Sequence, residues 1–302
     1  MARIALKVDV DTLRGTREGI PRLLGALQRS GVSATFLFSL GPDHTGWALR
    51  RVFRPGFLSK VSRTSVVKHY GLRTLMYGVL LPAPDIGRAA AAQMVAARDA
   101  GHECGIHTWD HVVWQDSVRG RDEAWTRTQM QRAFDRFTDI FGARPATHGA
   151  AGWQMNATAF QQIDDWGMAY ASDGRGPRPY VPSVGGKALA HVQLPTSLPT
   201  LDELIGNEGV DEHNVARSVL ALTEADHDQV FTLHAELEGG LLAPAFEALL
   251  AGWKSQGHQL TTLAELSRHT DRAALPVVPL TWGEVPGRSG SLIVAPLSVA
   301  SA

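Results

Sequence analysis

Strand-like and helix-like segments alternate along this chain from residue 4 to residue 261 without a linker-like break, which predicts an α/β fold. Such alternation implies parallel strands joined by right-handed crossovers. Seven or so units are better housed in a closed, distorted (β/α)7-type barrel than in an open sheet. A second observation agrees: Asp9, Asp11, His107, His148, Asp173 and His234 all fall at or just past predicted strand ends. Barrels of this kind do their chemistry where strands end, and stability alone does not require that convergence. A third observation is an interruption, since residues 44–84 follow the second strand and contain no acidic side chain.

Composition narrows the choices. The 302 residues suffice for one large α/β domain. Twenty-nine basic and thirty acidic residues leave a formal net charge of −1, so nothing in the totals points to nucleic acid or to disorder. The single cysteine, Cys104, excludes an internal disulfide and fits a reducing compartment. Its short apolar run reads as a place for a buried structural thiol. The N-terminus enters an alternating apolar run at residues 3–10 without a signal-peptide pattern, and no window approaches the apolar length of a bilayer span. The expected location is the cytoplasm, with peripheral membrane attachment left open.

Ile4-Ala5-Leu6-Lys7-Val8 reads as a buried first strand that stops at Asp9-Val10-Asp11-Thr12. Two carboxylates two apart on a strand end point to one side. They repel unless a cation sits between them or one takes a proton. Read alone, the pair also fits a solvated turn that caps the next helix. Residues 20–28 then have helical spacing before Gly31, and Ala34-Thr35-Phe36-Leu37-Phe38 is a second buried strand.

The insertion is basic and apolar by turns. Arg50, Arg51, Arg54, Lys60, Arg63, Lys68 and Arg73 are interleaved with aromatics and aliphatics, and Leu72, Leu75, Met76, Val79 and Leu80 fall on helical spacing. A short basic amphipathic segment of this type lies in a membrane interface; it is too short and too charged to span. Each basic residue near an anionic leaflet contributes on the order of 1 kcal/mol. The alternative is an excursion whose apolar face packs on the protein's own core.

Residues 85–100 form an alanine-rich helix ending at Gly101, and a strand at 102–107 carries His107, with His111 four positions on. Imidazoles so spaced can close on one metal from a strand end and the turn beyond it. With twelve histidines in the chain, roughly half of one such pair is expected by chance, so context must decide. A helix at 123–141 leads to Thr147-His148-Gly149-Ala150-Ala151-Gly152-Trp153, a strand end running into a loop where small residues let backbone approach a ligand. A helix at 157–166 precedes a strand at 168–171 that stops before Asp173, and a further strand spans 191–195. Residues 196–211 read as a loop-rich excursion and 213–223 as a helix. A strand at 229–233 stops at His234, with an acidic loop containing Glu236 and Glu238 beyond it. A helix at 243–256 and a strand at 259–261 complete the pattern. After Arg272 the chain turns rich in Pro, Gly and Ser, and 273–302 reads as a tail laid over the surface or disordered, outside a domain of 1–272.

Over residues 3–265 these motifs resemble the polysaccharide deacetylase (NodB-homology, carbohydrate esterase family 4) superfamily. Asp9-Val10-Asp11 matches its aspartate pair with one residue inserted, His107-Thr108-Trp109-Asp110-His111 its His-Ser/Thr-x-x-His, and Leu233-His234 its late histidine. The third motif departs: His148-Gly149-Ala150-Ala151-Gly152 stands where the family has Arg-x-Pro-x-Gly, so the arginine that contacts the catalytic aspartate has no counterpart after Pro145, unless Arg144 or another residue replaces it. Val8-Asp9-Val10-Asp11-Thr12, Arg14-Gly15-Thr16, the insertion and Thr147 to Trp153 are similar to one branch, the deformylases of undecaprenyl-phosphate-linked 4-deoxy-4-formamido-L-arabinose. That branch works at the cytoplasmic face of the bacterial inner membrane, in the lipid A modification that confers polymyxin resistance.

The resemblance implies a NodB-type barrel and a divalent metal held by Asp11, His107 and His111. Zn²⁺ comes first, with Mn²⁺, Co²⁺ or Fe²⁺ as alternatives. It implies Asp9 as base, His234 as acid with Asp173 tuning it, and an oxyanion beside His148 and the backbone of Gly152 or Trp153. The partners implied are a lipid-linked amino sugar and an anionic membrane surface, with no nucleic acid. Two rival readings are another metal-dependent N-deacetylase of sugars or peptidoglycan, and a catalytically silent membrane-binding scaffold.

Overall fold

The computed structural model describes residues 2–48, 71–207, 209–223 and 226–295. Its strands are β1 (Arg3–Val10), β2 (Thr35–Ser39), β3 (Glu103–Thr108), β4 (Tyr170–Ala171), β5 (Val181–Val184), β6 (Lys187–Ala188), β7 (Val192–Gln193), β8 (Gln229–His234), β9 (Gln259–Thr261), β10 (Val277–Pro279), β11 (Trp282–Glu284) and β12 (Ser291–Ile293). The first strand, β1, is the keystone. One of its edges pairs in parallel with β8 from Ile4 to Asp9. The other is shared, β9 taking Arg3 to Ala5 and β2 taking Lys7 to Val10.

From β2 the wall continues to β3, then through the Ile106–His148 bridge to the segment around His148. Ser172 N–H donates to His148 O, which brings in β4, and β4 pairs with β7. Ser197 and Leu198, just beyond β7, donate to Val230 O and return the wall to β8. The α/β barrel is thus closed by parallel neighbours, as the alternation predicted. Several of its staves are only a bridge or two long, which is where the regular ladder gives way.

Period-two alternation divides β1 between two environments. Ile4, Leu6, Val8 and Val10 join the apolar layer shared with the surrounding helices. Ala5 packs inside with Tyr170, Val192, Leu194, Val230 and Leu263. Lys7, Asp9 and Asp11 continue that inward row toward the rim, all buried. The outer helices follow their apolar spacing. Glu123–Phe141 is capped by the Asp122 side chain, buries Met130, Ala133, Phe137 and Phe141, and ends at left-handed Gly142. Each of those phenylalanines contributes roughly 1.5–3 kcal/mol by burial.

Some elements differ from expectation. The alanine-rich helix is two, Ile86–Ala89 and Ala91–Asp99, because Ala90 leaves helical geometry at φ −143°. The helix expected to run through Leu80 covers only Leu72–Met76, since Tyr77 is extended. Residues 277–295 build structure: β10 lies beside β5, β11 pairs with β12, Arg175 N–H donates to Ile293 O and Ala295 N–H donates to Arg175 O. No helix among the described residues is long and apolar enough to cross a membrane.

Candidate metal centre and active site

Two loops are braced against each other above β1 and β8. Glu236 Oε1 accepts from Asp11 N–H at 3.1 Å, Thr12 N–H at 2.8 Å and the Thr12 hydroxyl at 2.7 Å. Glu238 Oε2 accepts from His234 N–H at 2.7 Å. The acidic loop after β8 is therefore folded inward, and burial pushes both carboxyls up, Glu238 to about 8. Gly15 is required beneath it, because a Cβ there would lie 1.9 Å from Glu236 Oε1.

His107 is the last residue but one of β3, and His111 opens the helix His111–Ser117, whose N-cap is Asp110. Asp110 Oδ1 accepts from Val113 N–H, while its Oδ2 lies 2.5 Å from His44 Nδ1, so the start of the insertion is tied to this helix. Asp11 Oδ1 is 3.2 Å from His107 Nε2, and Asp11 Oδ2 is 3.4 Å from His111 Nε2. One ligand atom from each of the three residues lies within 4.8 Å of the others. Gly149 O accepts from His107 Nδ1 at 2.6 Å, fixing the tautomer that presents the Nε2 lone pair to Asp11.

These residues fit a divalent cation. Asp9 Oδ1, Asp11 Oδ1 and His107 Nε2 are buried without a hydrogen bond, and buried polar atoms are seldom left so. Burial works to raise the Asp11 pKa, but the His111 and His107 imidazoles overcome it and hold the carboxyl well below the usual range. Burial also opposes charge on His107, yet Asp9 and Asp11 pull its pKa up. A field that favours a proton on the imidazole favours a cation in the proton's place. Two imidazoles and a carboxylate suit Zn²⁺ and the neighbouring first-row divalent ions alike.

Asp9 sits beside His234 in the β1–β8 register. The buried cation next to it is Lys7, whose Nζ is 3.3 Å from Asp9 Oδ2. Lys7 was not among the residues singled out from sequence. The signal was there, since Lys7 shares the parity of Asp9 and Asp11 on one strand. His102 and Glu103 lie at the opposite end of β3, where His102 Nδ1 accepts from Ala34 N–H and Glu103 accepts from Thr35, Tyr170 and Ala264.

Two expectations need correction. Asp173 does not attend His234: its Oδ1 is 2.6 Å from His148 Nδ1 and its Oδ2 accepts from Gln193 at 2.7 Å. Burial tends to raise its pKa; His148 and Gln193 outweigh that and lower it. The reason is wall order, since Asp173 follows β4, next to the His148 segment, while β7 intervenes before β8. Trp153 N–H donates to Ala150 O, so it is spent within a tight turn; the neighbouring Gly152 has φ 60°. The Trp153 ring is 2% exposed and stacked among Lys7, Arg175 and Arg288. Of the basic residues of the insertion, Arg50, Arg51, Arg54, Lys60, Arg63 and Lys68 lie outside the described residues. Arg73 lies on Leu72–Met76.

A barrel with a carboxylate–imidazole cluster at its strand ends defines a class of hydrolase, and the sequence pattern of the polysaccharide deacetylases matches residues 3–171. The chain belongs to the polysaccharide deacetylase family. Within that family it is 35% identical over 97% of its length, and 94% of the relative's, to a Shewanella sediminis protein named probable 4-deoxy-4-formamido-L-arabinose-phosphoundecaprenol deformylase ArnD. A Wigglesworthia glossinidia brevipalpis protein of the same name is 28% identical over 91% of this chain and 96% of its own. A crystal structure assigned to the polysaccharide deacetylases, from Mycobacterium smegmatis, superposes with a TM-score of 0.64 at 18% identity, covering 94% and 95% of the two chains, and shows the shared fold.

Proposed function

We propose that this protein is a metal-dependent deformylase that hydrolyses the formamide of undecaprenyl-phosphate-linked 4-deoxy-4-formamido-L-arabinose. The products are formate and the 4-amino sugar lipid, which would serve the lipid A modification that confers polymyxin resistance. The observation that carries the reading is the meeting of Asp9, Asp11, His107, His111 and His234 at one rim, in a chain related over nearly its full length to proteins named for that reaction.

Asp11, His107 and His111 would hold the cation, which when bound acidifies a water and polarises the formyl oxygen. Asp9, fixed on β1, takes a proton from the attacking water. His234, its neighbour on β8, gives a proton to the leaving nitrogen. The Gly152 N–H is the backbone donor assigned to the oxyanion, now that Trp153 N–H is engaged elsewhere. Asp173 and His148 form a buried clamp that keeps the Gly149 carbonyl on His107. Water adds to the formamide, the carbon–nitrogen bond breaks, and formate leaves beside an ammonium sugar.

The proposed location is peripheral, on the cytoplasmic face of the inner membrane. Leu72, Val79 and Leu80 are 66%, 55% and 76% exposed beside Arg73, an arrangement that suits an anionic interface. Residues 1–272 would be the catalytic barrel, with 44–84 as the interface element and the remainder a strap across it. The test is formate release from the lipid-linked formamido sugar by zinc-loaded protein, with the acetamido analogue alongside. Release from the formamide that disappears in Asp9→Ala and His234→Ala supports the reading. Turnover of the acetamide alone assigns a deacetylase, and no turnover of either leaves a scaffold.

A further inference from the structure

We infer that Lys7 is the positioning residue of this site, a fixed internal cation that holds the Asp9 carboxylate in place for proton transfer. The inference rests on Asp9 acting as the base.

Lys7 is 0% exposed in the barrel interior. Its ammonium has a short set of partners: Asp9 Oδ2 at 3.3 Å, Ser172 O at 3.1 Å, and the face of Trp153 at 5.4 Å. A buried lysine is costly unless it is paired, so its retention here calls for a partner of opposite charge. Asp9 is that partner, with a side chain 5% exposed. The pairing uses one oxygen; Asp9 Oδ1 makes no hydrogen bond and lies 3.8 Å from His107 Nδ1. One face of the carboxylate is thus anchored and the other is left for the reaction.

The surrounding wall is cut to pass the lysine. A Cβ on Gly149 would lie 2.3 Å from Leu37 Cδ1 and 3.0 Å from Lys7 Cε, so glycine at that position makes room for Leu37 first and for the lysine beside it. Among the described residues, apart from the His107 imidazole 3.8 Å from Asp9 Oδ1, the candidates to replace the arginine absent from the third motif are engaged elsewhere. His148 is bound to Asp173, Arg144 reaches Trp166 O, and Arg175 pairs with Glu203. The charge that the arginine of the family's third motif would bring to the base comes here from two residues earlier on the same strand.

A double-mutant cycle of Lys7→Met and Asp9→Asn tests this, with thermal unfolding, Zn²⁺ affinity and formate-release kinetics measured on the full chain. Lys7→Met is expected to lower kcat roughly 10- to 100-fold while KM and Zn²⁺ affinity stay within about threefold. In the Asp9→Asn background the same change is expected to lower kcat no further. The double variant is expected to melt above Lys7→Met alone, because no unpaired carboxylate remains buried. If Lys7→Met fails to fold and the double variant folds, the pairing is supported as well. Additive losses in both melting and kcat, an unchanged kcat in Lys7→Met, or equal failure of both variants to fold overturns it. Should the wild-type protein release no formate, the functional reading falls by itself, and the melting cycle alone decides whether Lys7 and Asp9 are coupled.

Discussion

Asp173 and His148 face each other at 2.6 Å with side chains 0% and 2% exposed, and the free oxygen of Asp173 is taken by Gln193. Their bond fixes the segment whose next residue, Gly149, presents its carbonyl to His107. Asp173→Asn should therefore act in two places. Weakening a buried hydrogen bond to a charged group costs about 1.5–3 kcal/mol, and loosening the carbonyl should weaken metal binding about tenfold or more. Calorimetric titration with Zn²⁺ and a melting curve on the same sample check both effects. Unchanged metal affinity would confine the pair to a stability role.

Replacing a ligand should be more severe. Asp11→Asn or His107→Gln is expected to lower Zn²⁺ affinity by at least about 100-fold and to abolish formate release. Chelation of the wild type should do the same, reversibly on adding metal. Because Asp9 and Asp11 raise the proton affinity of His107, binding must displace a proton at lower pH. Apparent metal affinity should fall as pH drops through the titration of that imidazole. Titrations across a pH series measure this directly.

Glu238 gives a pH dependence of the opposite kind. Its pKa is pushed up to about 8 by burial, so the folded state binds a proton that the unfolded chain releases near 4.5. The stability it contributes is complete below about 4.5 and is lost as pH rises through about 8. Glu238→Gln, which keeps an oxygen for His234 N–H, should flatten that decline and melt above the wild type at pH 9. A variant that melts lower throughout the range would show that the carboxyl itself is needed.

Gly15→Ala probes the brace between the two loops. The new methyl would occupy the place of Glu236 Oε1, which carries three donors from Asp11 and Thr12. Displacing it strands those donors, at about 1–3 kcal/mol, and moves Asp11. The expected result is a lower melting temperature with a disproportionate loss of Zn²⁺ affinity. Glu236→Gln, which leaves the backbone untouched, should be milder on both counts.

Membrane attachment can be separated from catalysis along the chain. His44 is bound to Asp110, which caps the helix begun by His111, so a deletion that includes His44 would disturb the metal site. Replacing Leu72, Val79 and Leu80 with serine spares that link. The triple variant should sediment with anionic vesicles markedly less than the wild type and keep its Zn²⁺ affinity. Equal sedimentation would move the interface elsewhere.

How much of this was legible depends on how local each feature is. Asp9, Asp11, His107 and His111 announce themselves because strand ends and the His-x-x-x-His spacing are short-range patterns, and a barrel rim gathers whatever stands at strand ends. His234 could be placed for the same reason. The partner of Asp173 could not, because it is set by which stave lies beside which, and the β4–β7 contact is only two residues long. Lys7 was hidden by its surroundings: within an apolar strand a lone lysine reads as an edge residue until the barrel is closed around it. The segment after Arg272 lacks periodicity, yet Arg288 reaches back to Glu203 and Trp153 through side chains that no window of local sequence connects.

The keystone strand has a consequence for how the molecule is made. β1 comes before all of its partners in the chain, and two of its three neighbours, β8 and β9, are among the last strands of the barrel. During synthesis one whole edge waits for a partner more than two hundred residues away. Pairings so remote are slow to form, and an exposed strand invites the wrong company in the meantime. The centre that joins Asp9 to His234 can therefore assemble only after β8 has been made, and a chain cut before that strand lacks one side of the rim.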